Sequence, residues 1–327
     1  MQKYRRSAIY HPDYPIKGFV EYFLYFVAAP IILVWIVSTL FIWRVFGMRR
    51  PVLLIYAAVS LCANLSFVQA QQMSCAEMEQ FLREARITKI RDAPKGVTHP
   101  KRATLDSGSL KHDAGIQTID EMLKSATVGR SGAEFNVRDY WGYNIAGYEL
   151  AKLLSMNMVP PYVERSVEGI KGSFSWWIPD VMMDEGERLK RKLEPPDPDQ
   201  WNREMSVIRV FGQLIYNTDD NLTNFLITKD WHLWMIDFSR AFRPHKGLRN
   251  PEILQRCDRK LLASIRQLNK ALLEQKLRPY LTRYNIEALL FRRDKIVKFF
   301  DDQIAQKGEA AVLFDLDRMG EPCGKGL

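Results

Sequence analysis

The stretch from Leu214 to Phe242 restricts the possible folds of this chain more than any other. Its sequence, LIYNTDDNLTNFLITKDWHLWMIDFSRAF, predicts a helix end, a polar loop, and two short strands joined by a tight turn. Asp219 and Asn224 lie in the loop, and Asp237 ends the second strand. Such a set suits phosphoryl transfer from a magnesium nucleotide, with one carboxylate facing an acceptor hydroxyl and the other two groups holding Mg²⁺. The plainer interpretation is a hairpin after an ordinary polar loop.

The composition is that of a chain able to bury a sizeable core. It has 327 residues, 47% apolar and 26% charged, which suits one large or two ordinary domains. The formal net charge is +9, but the basic residues are scattered and form no long run typical of a nucleic-acid-binding tail. We therefore expect no nucleic-acid partner, although a positive field can favour nucleotides or a membrane surface.

The cysteines are few and far apart in the sequence. Cys62, Cys75, Cys257 and Cys323 form no C-x-x-C pair, and no spacing typical of a zinc site accompanies them. The sequence therefore predicts neither a disulfide framework nor a structural zinc site.

A first apolar segment covers residues 22–43, which contain no charged side chain. This length is sufficient to span a bilayer, and Trp35 and Trp43 fit interfacial anchors. A buried core helix of the same length would normally show a polar stripe. The segment therefore predicts a membrane-spanning helix within residues 1–47.

A second apolar segment, residues 51–70, follows two arginines and ends in Val68-Gln69-Ala70. Within residues 48–70 this is the pattern of a signal peptide cut before Gln71, in which case Met48 is the true start and residues 1–47 are a mis-called extension. The alternative is a second transmembrane helix, with the arginine-containing connection between the two helices on the cytoplasmic side.

Both interpretations place everything after residue 71 outside the cytoplasm. A third, with one span at 22–43 and a second segment lying on the membrane surface, leaves the cytoplasmic face open. We therefore expect a chain that is membrane-associated through its N-terminal segment, or exported.

Strand patterns precede the central stretch and helix patterns follow it. A glycine-containing basic loop that includes Lys95 and Gly96 separates the first two strands and can cover phosphates with its backbone N–H groups, although an ordinary hairpin loop is the plainer interpretation. After residue 242 the chain is predicted to be helical to near residue 314. The earlier elements are predicted as strands at 87–90, 102–105 and 110–119, a helix at 139–156, and strands at 159–167 and 172–178.

Two motifs resemble a known superfamily. The run from Asn217 to Asn224 followed by Ile236-Asp237-Phe238 is similar to the catalytic and metal loops of the atypical protein-kinase-like superfamily, including HipA-type and phosphatidylinositol kinases. The stretch from Tyr143 to Arg165 also resembles that group, and the likeness covers roughly residues 85–245. It implies an α+β, two-lobed kinase-like fold after the N-terminal hydrophobic helices, with a small β-rich lobe containing one helix at 71–185 and a mainly helical lobe at 186–327.

The resemblance also implies roles for single residues. Asp219 takes the position of the catalytic base, and Asn224 and Asp237 take those of the metal ligands, with ATP and Mg²⁺ as cofactors. Trp177 and Ile178 begin the hinge, which would border the adenine with backbone groups.

The chain departs from the superfamily at the phosphate anchor. Gln117 stands where a lysine normally binds the α- and β-phosphates, and Asn144 stands where that lysine's glutamate partner normally lies. Because both members of the ion pair are amides, they can hydrogen-bond without leaving a buried charge. Lys111, on the same strand face as Gln117, and Lys95 are candidate replacements for the lysine. Asp220, where the superfamily often has arginine, either adds negative charge beside Asp219 or helps to bind a cation.

Three functions remain open at this point. The first is a phosphotransferase that moves phosphate from Mg-ATP to a protein or small-molecule hydroxyl, with nucleotide transfer as a variant. The second is a pseudokinase that binds a nucleotide or a partner at the membrane without turnover, which the missing lysine–glutamate pair favours. The third is a membrane-anchored protein in which the kinase-like fold is structural only.

Overall fold

The structure, a computed structural model, is described over part of the unit Gln72–Leu327. The ranges are 73–93, 100–127, 133–219 and 221–317, with residues 319 and 323, and side chains are described except at 125–127 and 133–136. Both apolar segments at 22–43 and 51–70 lie outside these ranges, as do Lys95, Gly96 and Asp220. None of the helices inside them combines the length and the apolar character needed to cross a bilayer.

The first half of the described chain forms a β-sheet lobe. Its five-stranded antiparallel sheet has the strand order β1-β2-β3-β7-β6. The inward-facing residues of alternating positions, such as Ala103, Leu105 and Phe174, are fully buried. The strands are β1 (Arg86–Asp92), β2 (Lys101–Asp106), β3 (Lys111–Gln117), β6 (Tyr162–Val167) and β7 (Ile170–Trp176).

Two helices pack in the sheet lobe. Helix α1 (Cys75–Glu84) begins with a capping box in which Ser74 and Glu77 satisfy each other's backbone N–H groups. Its Phe81 meets Trp176 edge to face at 5.6 Å between ring centroids. Helix α2 (Gly142–Leu153) is buried on almost every face, and so it carries the neutral Asn144 in its first turn without exposure to solvent.

A hairpin that the sequence did not predict lies between β3 and α2. Strands β4 (Asp120–Thr127) and β5 (Ala133–Tyr140) pair with each other and with no other strand in the described ranges. The predicted third strand at 110–119 therefore ends at Gln117, and the predicted helix at 139–156 begins at Gly142. The hairpin's polar sequence, with exposed residues such as Met122, has no strong apolar alternation to mark it.

A three-stranded antiparallel sheet, ordered β10-β9-β8, follows the hinge. It is built from β8 (Val181–Asp184), β9 (Phe225–Thr228) and β10 (Leu233–Met235). Between β8 and β9 the chain forms α3 (Glu185–Arg191) and α4 (Pro198–Ile215). Asp197 caps α4 by accepting a hydrogen bond from the Gln200 N–H, and Pro198 begins the helix.

The C-terminal half is helical. Its elements are β11 (Cys257–Asp258), α5 (Arg259–Gln267), α6 (Lys270–Leu277), α7 (Arg283–Lys307), α8 (Glu309–Val312) and β12 (Leu313–Phe314). The fully buried Arg292 of α7 donates to the carbonyls of Leu214 at 2.8 Å and Arg243 at 3.0 Å. Burial lowers the pKa of Arg292 to about 9. This side chain ties the end of α4 to the segment after Asp237.

A disulfide joins the two ends of the described chain. Cys75, the first residue of α1, is bonded to Cys323 across a sequence separation of 248 residues, with the Cα atoms 5.3 Å apart. The prediction of no disulfide framework therefore missed one bond, because such a separation leaves no local pattern to read. Cys257 is a buried free thiol, and burial raises its pKa.

We expect the Cys75→Ser, Cys323→Ser double variant to lose about 3–5 kcal/mol of unfolding free energy, because a closed loop of this length restricts the unfolded chain. Urea denaturation of the oxidised protein with and without dithiothreitol measures the loss. The double variant is the control, since a reductant should not change its midpoint. An unchanged midpoint for the reduced wild-type protein would contradict the bond's contribution.

Candidate active site

One cavity of about 590 Å³ gathers most of the residues singled out in the sequence. Its walls come from the five-stranded sheet, α2, the hinge and the hairpin β9–β10. The volume lies within the range of roughly 300–1,000 Å³ that is typical of small-ligand sites. The predicted site residues that line it are Gln117, Asn144, Trp177, Ile178, Asp219, Asn224 and Asp237.

The loop that carries Asp219 is built from successive side-chain-to-backbone hydrogen bonds. Helix α4 ends at Tyr216 in the left-handed conformation, φ 50°. The Asn217 side chain then accepts from the Asp219 N–H at 3.1 Å, and Asp219 Oδ1 accepts from the Asn221 N–H at 3.0 Å. Such turns are the local reason for the Asn/Asp-rich sequence. They hold the Asp219 carboxylate at the edge of the cavity.

The hairpin β9–β10 brings the other two groups to the same place. Asn224 ends a 3₁₀ turn just before β9, and its carbonyl accepts from the Ile236 N–H at 3.0 Å. This bond aligns Asp237 beside it. Asn224 Nδ2 also donates to Asp219 Oδ2 at 3.2 Å. The three side chains predicted from spacing are therefore joined in one cluster.

Asp237 has an unusual backbone conformation and a raised pKa. Its φ of 58° lies in the left-handed region, which is uncommon for a residue other than glycine. Burial, together with the nearby Asp219 carboxylate, raises the pKa of Asp237 above its usual range, although hydrogen bonds from Ser239 oppose the shift. A divalent cation between these groups would stabilise the ionised form.

The cluster could hold a metal ion only with help from a ligand. Within the described ranges no three His, Cys, Asp or Glu side chains converge as a metal-binding group. Asp237 and Asn224 supply one carboxylate and one amide oxygen at the cavity wall. Mg²⁺ in nucleotide sites is usually held by one or two protein oxygens together with phosphates and water, and so the residues present fit that role.

Asn144 is the centre of a buried amide network. Its Nδ2 donates to Gln117 Oε1 and, at 3.2 Å, to Ser173 Oγ. Its Oδ1 accepts from the Phe238 N–H at 2.6 Å. Gln117 Nε2 in turn reaches Asp237 Oδ1 at 3.4 Å. Thus Gln117 and Asn144 contact each other, and they connect β3 and α2 to the residues around Asp237.

Ile178, the residue after Trp177, lines the cavity. The Trp177 backbone is already engaged, because its N–H donates to the Asp113 carbonyl at 3.1 Å and its carbonyl lies 2.9 Å from His112 Nε2. The N–H and C=O of Ile178 have no hydrogen-bond partner in the described part of the chain, and Pro179 has no N–H. Ile178 therefore keeps a free backbone donor and a free backbone acceptor at a position that lines the cavity.

The remaining predicted residues lie elsewhere. Lys111 is exposed at the start of β3, beside Asp106 of β2, and it does not line the cavity. It shares a strand face with Gln117, but six residues of strand separate them by about 20 Å. Lys95 and Gly96 are outside the described ranges.

Sequence reasoning missed several charged residues of the cavity wall, Lys101, Asp184, Glu187 and Arg240, and also Asp139, which pairs with Arg240. Arg240 lines the cavity three residues after Asp237, and its Nε donates to Asp139 Oδ2 at 2.7 Å. Asp139 is fully buried at the end of β5. The only sequence signal for this pair was an arginine close behind Asp237, because the contact joins residues 101 positions apart.

Comparison with known proteins identifies similar folds among solved structures but no related sequence. No protein-family model matches the chain, and no curated protein matches its sequence. A structure of hydra Fam20 with sugar aligns with a TM-score of 0.56 at 14% identity, covering 74% of this chain and 92% of that one.

Two structures of the Golgi casein kinase are also similar, each at 14% identity and covering 73% of this chain and 78% of that one. The TM-scores are 0.53 for the form with Mn/ADP bound and 0.51 for the other. At such identities the likeness shows the fold alone. The predicted kinase-like fold, with a β-sheet lobe and helices, is therefore confirmed.

We expect Asn144→Ala to lower the free energy of unfolding by about 2–4 kcal/mol, because it leaves buried partners on α2, β3 and the segment after Asp237 without hydrogen bonds. Urea denaturation measures the change. Asn202→Ala, at an exposed position of α4, is the matched control and should change stability by less than about 0.5 kcal/mol. Equal effects of the two substitutions would show that the network is not a stabilising element.

Proposed function

We propose that this chain is an atypical kinase-like phosphotransferase that transfers a phosphoryl group from Mg-ATP to a hydroxyl of a protein or a small molecule. The observation that carries the proposal is the convergence of Asp219, Asn224 and Asp237 on one cavity. The same cavity is bordered by the free backbone groups of Ile178, which suit an adenine edge. Positioning and charge stabilisation by such groups account for most of the catalysis of phosphoryl transfer.

Each side chain has a task in that reaction. The oxygen of the acceptor hydroxyl forms a bond to the γ-phosphorus, and Asp219 receives the proton of that hydroxyl. The bond between the γ-phosphorus and the oxygen of the leaving ADP breaks. Asn224 and Asp237 would hold the metal ion, which neutralises charge on the phosphates. The Asn224 amide also donates to Asp219 Oδ2 at 3.2 Å, which orients the carboxylate.

The neighbours of like fold support nucleotide use and a hydroxyl acceptor. One Golgi casein kinase structure contains Mn/ADP, and the hydra Fam20 structure contains sugar. By analogy, the cofactors proposed here are ATP and a divalent cation such as Mg²⁺, and the acceptor is a protein or sugar-like hydroxyl. Analogy between folds is weaker support than the geometry of the site.

We also propose that the domain works outside the cytoplasm. The disulfide between Cys75 and Cys323 favours an oxidising compartment, because cytosolic thiols are usually kept reduced. The signal-like and apolar pattern before residue 71 agrees with export or membrane attachment.

The second candidate is a pseudokinase that binds a nucleotide without transferring phosphate. The neutral contact between Gln117 and Asn144 favours it, since the superfamily's charged phosphate anchor is missing at these positions. The intact Asp219, Asn224 and Asp237 cluster favours the active enzyme.

We expect Asp219→Ala to lower phosphate transfer at least 100-fold while ATP with Mg²⁺ still stabilises the protein against heat, because the substitution removes the proton acceptor and keeps the metal ligands. The assay uses the full-length chain and ATP labelled at either the γ- or the α-phosphate. Asp199→Ala, at an exposed position of α4, is the matched control and should keep full transfer.

The labels separate the alternatives. Incorporation of the γ-label supports phosphoryl transfer, and incorporation of the α-label alone indicates nucleotide transfer instead. Stabilisation by ATP without incorporation of either label identifies a pseudokinase. A wild-type protein that ATP does not stabilise would overturn both nucleotide-dependent functions.

A further inference from the structure

The charge balance of the cavity raises the question of what holds a polyphosphate there. Four acidic residues line it, Asp184, Glu187, Asp219 and Asp237, and the amides of Gln117 and Asn144 bring no charge. A bound triphosphate carries several negative charges, and one divalent cation offsets only part of them. A protein cation is therefore needed on the cavity wall.

Among the described residues that line the cavity, the cationic side chains are Lys101 and Arg240. Lys101 begins β2 at the rim, is about half exposed, and is paired with the exposed Asp92 at 2.5 Å. Arg240 lies deeper, three residues after the proposed metal ligand Asp237, with 32% of its side chain exposed. By position, Arg240 is the cation nearest to where the phosphates and metal would meet.

The protein holds Arg240 in place from several sides. Its Nε donates to the fully buried Asp139 at 2.7 Å, and its carbonyl accepts from Thr218 Oγ1 at 2.9 Å. A backbone hydrogen bond from the Tyr140 N–H to the Ser239 carbonyl, at 2.9 Å, also joins the end of β5 to the segment that carries Arg240. A guanidinium carries five N–H donors, and so one bond to Asp139 leaves donors for an anion.

In the described part of the chain, Arg240 is the side chain to which Asp139 is paired. Its second carboxylate oxygen, Oδ1, is buried and has no hydrogen-bond partner in the described part of the chain. Although burial disfavours the charge of Arg240, the hydrogen bond and field of Asp139, with the fields of Asp219 and Asp237, raise its pKa above the usual value. A buried carboxylate is costly unless it is paired, and retaining one here indicates a task for its partner.

We infer that Arg240 binds the phosphate chain of the nucleotide in place of the lysine missing at Gln117, and that Asp139 positions it. The inserted hairpin β4–β5 thus supplies the acidic partner that α2 lacks at Asn144. The superfamily's ion pair between the third strand and the helix is replaced by one between the segment after Asp237 and the end of β5. This inference rests on the proposed nucleotide site.

The test measures binding as a function of phosphate number. Isothermal titration of the full-length chain with Mg-ATP, Mg-ADP and adenosine compares the wild-type protein with Arg240→Met, Arg240→Lys and Asp139→Asn. Arg138→Met is the matched control, since Arg138 forms the neighbouring ion pair with Asp120 at 2.9 Å and does not line the cavity.

We expect Arg240→Met to weaken ATP binding at least tenfold, to weaken ADP binding less, and to leave adenosine binding within twofold of wild type, because only the phosphate contacts are lost. Arg240→Lys should recover part of the ATP affinity, because it keeps the positive charge. If the methionine variant folds poorly, the lysine variant still tests whether a cation at this position binds the phosphates. Asp139→Asn should weaken ATP binding less than Arg240→Met does, and Arg138→Met should leave it unchanged.

Equal ATP affinity of Arg240→Met and the wild type would overturn the inference while leaving the nucleotide site intact. Equal losses for ATP and adenosine would also overturn it, because they identify Arg240 as a scaffold residue. Absence of ATP and adenosine binding to the wild-type protein would instead remove the proposed function on which the inference rests.

Discussion

The architecture of the cavity depends on the hydrogen bonds of Asn144. This amide is almost completely buried on α2, and it is bonded to β3 through Gln117, to β7 through Ser173, and to the Phe238 backbone beside Asp237. In a low-dielectric interior each of these polar groups would be costly if it were left without a partner. The network therefore fixes the sheet lobe against the segment that carries Asp237, and it holds these two walls of the cavity in position relative to each other.

The contact between Gln117 and Asn144 is neutral, and this affects where positive charge is found in the cavity. A lysine–glutamate pair would place a cation on β3, whereas Gln117 and Asn144 place none there. The pair of Asp139 and Arg240 instead places a cation three residues after Asp237, where the carboxylates of Asp219 and Asp237 act on it. Under the proposed function, Asn224 and Asp237 would hold the metal ion and Arg240 would bind the phosphates, so the cation would come from a different segment than β3.

The parts of the site that depend on local chain geometry could be predicted from the sequence. Asp219 and Asn224 are five residues apart in one loop, and a short hairpin returns Asp237 to them, so spacing alone brings the three together. The strand–helix–strand order and the helical C-terminal half were also visible in the apolar periodicity, and the fold agrees with them.

The parts that depend on distant contacts could not be predicted. Arg240 meets Asp139 across 101 residues, and Cys75 meets Cys323 across 248, so no local pattern marks either pair. The hairpin β4–β5 was missed because its strands lack a clear apolar alternation, which also hid Asp139 within the start of a predicted helix. Lys111 was chosen by strand periodicity, which gives the face of a strand but not the position along it.

The most direct test of this account is a crystal structure of the protein with Mn²⁺ and a non-hydrolysable ATP analogue. We expect an anomalous manganese signal between Asn224 and Asp237, the phosphates beside Arg240, and the adenine against the Ile178 backbone. A nucleotide bound outside this cavity, or inside it with its phosphates at the hinge, would contradict the account.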